Sequence, residues 1–469
     1  MKLILLICLW IAGYGYGYGM QIGAEGTLWP YPQEVKTSES FFTITKQFNF
    51  TLKTAGKCDL LDKAIARYRK LFFLEDCSLV SKTATETLFD GQINVRQNGL
   101  YLGEIANITL SVHEKCETVP HMNMNEMYSI NINQQIQDIY AETVWGAIRA
   151  LDTLSQLIRN VGQNQFTINE TAILDFPRFA HRGLMLDTSR HYVPIKELLQ
   201  NLDAMAYNKL NVFHWHIVDD QSFPYVSSIY PELSVKGAFN AKTHIFTEQQ
   251  IQEVIAYGAE RGIRVLVEFD SPGHTLSWGM GYPDLLTPCY SSGKPDGTYG
   301  PIDPSKNSSY KFIETLFKEV GHRFPDQYMH LGGDEVALDC WEHNPNIQSF
   351  MKIKNFTTIS QLFQYYIENL LNIVRGLDKS YIVWQEVLDE GVVPKSDTIV
   401  HIWKDGWEGE MLNVTKRGFQ TILSSCWYLN YINYGTDWPK YYACDPHNFG
   451  GTEQQNKLVI GGEACMWGT

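Results

Sequence analysis

Beyond its first dozen positions this 469-residue chain has no apolar run of 18 or more residues. No membrane-spanning helix is therefore expected in the mature protein. Cations are scarce beside anions: 38 Lys and Arg face 52 Asp and Glu, for a net charge of −14 and an isoelectric point near 5.4. That balance argues against nucleic acid as a partner, because phosphate binding needs a basic surface. The nine cysteines include no Cys-x-x-Cys pair and no Cys/His cluster at zinc spacing. No Gly-x-Gly-x-x-Gly follows a first strand, so the dinucleotide fingerprint is missing. A Ser/His/Asp or Cys/His set for nucleophilic catalysis is missing too.

What is present is apolar and aromatic. Hydrophobic residues make up 44% of the chain and aromatic ones 13%, enough for a large core and incompatible with wholesale disorder. The length allows two or three domains, and one β/α barrel alone takes roughly 250 residues. Met1-Lys2, the apolar run Leu3 to Ala12 and the Gly/Tyr stretch Gly13 to Gly19 read as a secretory signal peptide over residues 1–20. Lysosomal or extracellular delivery is the corresponding expectation. That route permits disulfides. Cys58, Cys77, Cys116, Cys289, Cys340, Cys426, Cys444 and Cys465 remain after the signal, and spacing alone leaves their connectivity open. Six sequons, at Asn49, Asn107, Asn169, Asn307, Asn355 and Asn413, are N-glycosylation candidates.

Residues 21–175 read as one α+β unit. Tyr101 to Glu114 reads as a strand, with apolar Ile105, Ile108, Leu110 and Val112; Asp59 to Phe73 and Ala141 to Ile158 read as helices. No polar site stands out there, and the unit is taken as structural. Over 176–469 the rhythm changes to short apolar runs: His181–Asp187, Leu210–Asp219, Arg264–Asp270, Tyr328–Glu335, Tyr381–Glu386, Thr398–Trp403, Gln420–Cys426 and Leu458–Trp467. Amphipathic helices lie between them, at Pro194 to Asn208, after a Thr247/Gln250 capping box, and at Ile359 to Arg375. Eight strands alternating with helices predict an α/β fold, a (β/α)8 barrel, with a doubly wound open sheet as the alternative.

Active sites of such barrels sit where the strands end. Nearly every run here ends in polar or aromatic residues: Asp187 to Arg190, His216 with Asp219-Asp220, Asp270 with His274, Asp334-Glu335, Trp384 to Glu386, Trp403, Trp427-Tyr428 and Trp467. An acidic, aromatic-walled pocket follows. Carboxylates without a nucleophilic set point to acid/base work on an acetal or similar bond, centred on Asp334-Glu335. Neighbours on a regular strand face opposite ways, so both can enter one pocket only if Gly332-Gly333 breaks the pleat. His214-Trp215-His216 with Asp219-Asp220 also has metal-ligand residue types. It falls on the second run rather than the first, and hydrogen bonding within the barrel is the preferred reading.

These motifs, together with Glu268 to Thr275, His330-Leu331-Gly332-Gly333-Asp334-Glu335-Val336, Val383 to Glu386, Trp427 to Asn430 and Gly461 to Trp467, resemble the family 20 glycoside hydrolases, the β-N-acetylhexosaminidases of eukaryotic lysosomal and invertebrate secreted type. The resemblance covers nearly the whole chain after the signal. It implies removal of terminal, non-reducing β-linked N-acetylglucosamine or N-acetylgalactosamine, the substrate's acetamido group being the nucleophile. It makes Glu335 the general acid and then the base, and Asp334 the holder of the acetamido N–H. Tyr428 would bind the acetamido oxygen and Arg190 the sugar 3- and 4-hydroxyls. Trp384, Trp403 and Trp467 would wall the pocket, with Asn430 beside them. Asp219 and His274 would support the acid, with Asp270 behind them. The resemblance implies the disulfides Cys58–Cys116 and Cys289–Cys340, the second steadying the loops beside the acid. It implies a carbohydrate substrate, no cofactor or metal, and a homodimer.

The family continues after Met466-Trp467-Gly468 with a hydroxyl-binding Glu and a last helix, whereas this sequence ends at Thr469. The expectation is a truncated barrel lacking its final helix, with apolar surface exposed on its first and eighth strands. A catalytically impaired, sugar-binding or unstable form is the alternative to an active exo-enzyme.

Overall fold

Among the described residues, six strands come first: β1 (Glu34–Thr54), β2 (Tyr101–Val112), β3 (Tyr128–Ile132), β4 (Gln137–Ala141), β5 (Arg159–Asn160) and β6 (Phe166–Asp175). The structure, a computed structural model, describes residues 28–73, 99–161 and 165–468. The segment read as a signal peptide, Cys77 and Thr469 lie outside them. The six strands form one sheet in the order β1-β2-β4-β3-β6-β5. Ile108, Leu110 and Val112 alternate inward from β2, and with Ile105 they pack against helices Asp59–Phe72 and Val144–Leu157. The second helix starts where the Thr143 hydroxyl accepts the backbone N–H groups of Trp145 and Gly146.

The later strands are β7 (His181–Asp187), β8 (Val212–His216), β9 (Arg264–Glu268), the hairpin β10 (Leu286–Ser291) and β11 (Lys294–Ile302), β12 (Tyr328–His330), β13 (Ser380–Trp384), β14 (Ile399–Ile402), β15 (Gln420–Leu423) and β16 (Val459–Met466). All but the hairpin are parallel and close into an eight-stranded barrel, with β16 paired to β7. The eight apolar runs are these eight strands, so the barrel replaces the open-sheet alternative. Most are shorter than their runs. β12 stops at His330, not Glu335, because Gly332 and Gly333 adopt φ of +67° and +95° and carry the chain out of the sheet.

The helices follow their caps. Pro194 and Asn208 flank Ile195–Tyr207, and Thr247/Gln250 and Thr358/Gln361 form complete capping boxes. Their apolar faces join the outward-facing strand residues Phe213, Trp215, Val265 and Val267 in the main core. Inside the barrel, Val212, Leu266, Ile382, Ile399 and Ile422 make an apolar floor.

The N-terminal unit docks where β7–β9 begin. The buried Glu126 carboxylate accepts from Arg149 Nε at 2.7 Å, Arg182 Nη2 at 2.7 Å and Asn211 Nδ2 at 3.1 Å. Arg149 reaches across to the carbonyls of Arg261 and Gly262. Lys209 Nζ donates to Asp175 Oδ2 at 2.8 Å and to the Tyr128 hydroxyl at 2.7 Å. This end of the barrel is covered, and the other end is the mouth.

Candidate active site

Two adjacent carboxylates enter the mouth because the segment after β12 is not a strand. A Cβ on Gly332 would lie 1.7 Å from Asp270 Oδ1, and Gly333 N–H donates to that same oxygen at 2.8 Å. Asp334 is buried behind. Glu335, at φ +47°, donates its backbone N–H to Glu386 Oε2 at 3.0 Å and keeps 60% of its side chain exposed toward the opening. Lys404 Nζ, 2.7 Å from Glu386 Oε1, pins that support.

His274, also left-handed at φ +54°, stands among the acids. Its Nδ1 is 3.2 Å from Asp219 Oδ1, and its Nε2 lies 3.7 Å from Asp334, 3.7 Å from Glu335 and 3.9 Å from Asp270. Burial works against a charged ring, but Asp270, Asp334 and Asp219 outweigh it and hold the imidazole pKa well above its ordinary value. Burial raises both neighbouring carboxyls. Asp334 is pushed up to about 6, and Asp270 well above the usual range with Asp334's charge as the second cause. Asp219 is the opposite case: burial is outweighed by His216 and His274, and the group stays ionised. Arg190 pairs with Asp219 at 2.8 Å and Asp187 at 3.2 Å, and its guanidinium lies 5.1 Å from the Trp467 ring centre.

The wall is aromatic. Trp403 and Tyr428 stack with centroids 5.9 Å apart, and Trp384 and Trp467 stand 6.1 Å apart. Met185 and Cys465 complete this cluster. Among the described residues, the buried atoms Asp334 Oδ1, Asp270 Oδ2, His274 Nε2 and Trp403 Nε1 have no hydrogen-bond partner. Such orphaned groups fit a polar ligand. The structure thus unites Asp334, Glu335, Asp270, His274, Asp219 and Arg190 in one polar group, beside a wall of Trp384, Trp403, Tyr428 and Trp467. Asn430, two residues past Tyr428, also has its buried Oδ1 without a hydrogen-bond partner among the described residues. Leu429 N–H pairs with the Cys465 carbonyl at 2.8 Å.

Disulfides Cys58–Cys116 and Cys289–Cys340 are present, the latter joining β10 to the helix Leu338–His343 just past Glu335. A third, Cys426–Cys444, brackets the Tyr428 loop and was not anticipated. Cys465 is a free, buried thiol.

His214 and His216 make their partnerships within the barrel, as the preferred reading expected, but sequence reasoning missed the carboxylates that supply them beneath the pocket. His214 and His216 are not a metal pair in waiting: each sits between carboxylates. Glu463 contacts His181 at 2.7 Å and His214 at 2.6 Å; Glu268 contacts His214 at 2.8 Å and His216 at 2.9 Å; His216 reaches Asp219 at 2.7 Å. All are buried. The carboxylates overcome burial and hold His214 up to about 9 and His216 up to about 10. Gly183 makes room for Glu463, whose Oε2 would lie 2.2 Å from a Cβ there. His214, His330 and His401 lie close enough to share an ion, as do Asp270, His274 and Asp334, but both nitrogens of His214 already face carboxylates. The one advance signal was acidic residues at inward strand positions, Glu268 and Glu463.

A closed β/α barrel with a carboxylate pair at its mouth and an aromatic wall beside it defines a glycoside-hydrolase type of site. Residues 179–469 match glycosyl hydrolase family 20, catalytic domain, and residues 28–157 match a beta-acetyl hexosaminidase like domain. The chain belongs to glycosyl hydrolase family 20. It is 49% identical to the mouse beta-hexosaminidase subunit alpha over 94% of this chain and 83% of that one, and 45% identical to the human subunit beta over 94% and 78%. Among solved structures, the Flavobacterium johnsoniae chitobiase superposes with a TM-score of 0.77 at 29% identity, covering 94% of this chain. The present chain spans 65% of that chitobiase.

Proposed function

We propose that the protein is an exo-acting β-N-acetylhexosaminidase that removes a terminal, non-reducing β-linked N-acetylglucosamine or N-acetylgalactosamine with retention. The observation that carries this reading is the Asp334-Glu335 pair, one carboxyl buried with an unpartnered oxygen and the other open to the mouth beside an aromatic wall. The curated relatives named beta-hexosaminidase support it.

Glu335 protonates the leaving oxygen from the open side, then takes a proton from water. The sugar's acetamido oxygen attacks the anomeric carbon and forms an oxazolinium, as in the substrate-assisted exceptions to the two-carboxylate glycosidases. Asp334 orients and polarises the acetamido N–H, and the Tyr428 hydroxyl donates to its oxygen. Holding an attached nucleophile this way exploits proximity. Arg190, fixed by Asp187 and Asp219, offers its remaining N–H groups to the sugar hydroxyls, and Trp384, Trp403 and Trp467 stack on the ring. His274 steadies Glu335 from one side and Asp334 from the other.

We place the protein in the secretory pathway. Supporting this are three disulfides and sequon asparagines that are exposed at 49, 107, 307, 355 and 413. Asn169 is half-buried, with its Nδ2 donating to the Ser38 carbonyl at 2.8 Å. A homodimer is the expected assembly; the curated relatives are named as subunits.

Hydrolysis of an aryl N-acetyl-β-glucosaminide by the purified chain, beside Glu335→Gln and Asp334→Asn, tests the activity. Turnover by the unaltered protein and loss of at least about 100-fold in each variant is expected. An unaltered protein without turnover, or a Glu335→Gln variant that keeps it, sinks the reading.

A further inference from the structure

One buried carboxylate touches both the pocket wall and the support of the acid. Glu268 ends β9 with its side chain inside the barrel, fully enclosed. Its Oε1 accepts from Trp384 Nε1 at 2.9 Å and lies 3.3 Å from His330 Nδ1. Its Oε2 is 2.8 Å from His214 and 2.9 Å from His216. Trp384 is the sugar-facing wall. His216 leads to Asp219 at 2.7 Å, and Asp219 holds both Arg190 and His274, the ring that faces Asp334 and Glu335. The result is a column of alternating charge: Glu463, His214, Glu268, His216, Asp219, His274, then the acids.

We infer that Glu268 is a positioning residue for the hydrolysis proposed above, one carboxylate that fixes the plane of the Trp384 wall and, through His216 and Asp219, the charge and placement of the His274 ring beside Glu335. The inference rests on the proposed activity. It goes beyond the pocket itself, because Glu268 has no exposure and cannot touch a substrate. The chemistry requires an acceptor with charge at this spot. A glutamine there can still accept from Trp384 through its oxygen, but it removes the negative charge that faces the His214 and His216 rings. His216 would lose its partner from β9. It would keep Asp219 from its own loop, Arg190 Nη1 at 3.5 Å from the loop after β7, and the Trp467 ring just past β16. His274 would keep Asp219, Arg190 Nη2 at 3.5 Å, Asp270, Asp334 and Glu335 around it.

The test compares Glu268→Gln with Glu463→Gln. Glu463 is equally buried and pairs with His181 and His214, but it reaches neither Trp384 nor His216. Both variants lose a charge from the barrel, so both lower the melting temperature. For Glu268→Gln we expect kcat on the aryl glycoside to fall by about 100-fold with KM changed far less. The alkaline limb of its kcat profile should move down by up to about 1 pH unit, less than for a directly paired imidazole, because Glu268 reaches His274 only through His216 and Asp219. In Glu463→Gln the limb stays where it is. An unchanged kcat in Glu268→Gln, or the same limb shift in both variants, overturns the inference and leaves a purely structural role. Should Glu268→Gln fail to accumulate, His216→Asn cuts the same path one step nearer Asp219: a moved limb supports the inference and an unmoved one overturns it. Failure of the unaltered protein to turn over would instead sink the proposed function, and this inference with it; turnover with an unmoved limb sinks the inference alone.

Discussion

Gly332 decides whether the two carboxyls meet. It is the residue with a left-handed φ that also has Asp270 Oδ1 where a Cβ would go. Alanine there meets two penalties, an unfavourable backbone region at about 1–3 kcal/mol and a collision with a side chain that already accepts from Gly333. Gly332→Ala should therefore fold poorly, and what folds should lose at least about 100-fold in kcat as Asp270 and Asp334 are pushed apart. Melting temperature and turnover on the aryl glycoside check both halves; a stable, active variant would remove this account of the site. The Asp334-Glu335 pair was legible in the sequence through these same glycines. Glu463 was not, because its place depends on Gly183, 280 positions away, leaving a hole across the barrel. The acidic residue at an inward strand position hinted at Glu463, but local spacing carries no trace of the complementary hole.

At the scale of elements, the strands were readable because each is a short apolar run between turns. Their ends were overestimated where polar residues peel away before the mouth, as after His330. The loop following β15 was the least readable. It presents Tyr428 on a segment between Cys426 and Cys444, and no pattern in the cysteine spacing singles out that pair. A closed loop of this size is worth about 3 kcal/mol on chain-entropy grounds. Replacing both cysteines by serine should lower stability by about that amount. It should also raise KM while lowering kcat far less, since only the Tyr428 side of the pocket is loosened and the segment that carries Asp334 and Glu335 is untouched. Denaturant titration and steady-state kinetics give the two numbers, and an unaltered KM would show that the Trp403–Tyr428 stack holds the loop unaided.

For the whole molecule, the dependence of the folding free energy on pH comes largely from inside the barrel. An unfolded imidazole titrates near 6.5, whereas His214 and His216 are held up to about 9 and about 10. A raised imidazole contributes stability that is fully present below 6.5 and is lost as pH climbs through the folded values. The melting temperature should thus fall steadily between about pH 6.5 and 10, and His214→Asn should flatten that slope; a flat curve for the unaltered protein would contradict the charged column. The two parts of the molecule should also melt together. Glu126 ties the N-terminal sheet to the barrel through Arg149, Arg182 and Asn211. Glu126→Ala strands two guanidinium groups and should cost about 3–5 kcal/mol in a single shared transition, whereas two separate transitions would mean that the units are independent. That docking surface escaped the sequence reading, since a lone Glu in a loop carries no periodicity.

The column has one more consequence. Dissolved ions weaken charge pairs only where they can approach within a few ångströms, about 10 Å being the reach of an exposed charge at 0.1 M salt. The imidazoles and carboxylates from Glu463 to Asp219 are each no more than 1% exposed. Concentrated sodium chloride should therefore loosen the rim, where Arg178 meets Asp445 and Lys457 meets Glu453, and leave the alkaline slope of stability as steep as before. The barrel's axis behaves as an insulated conductor of charge order, indifferent to the ionic strength of whatever compartment surrounds it.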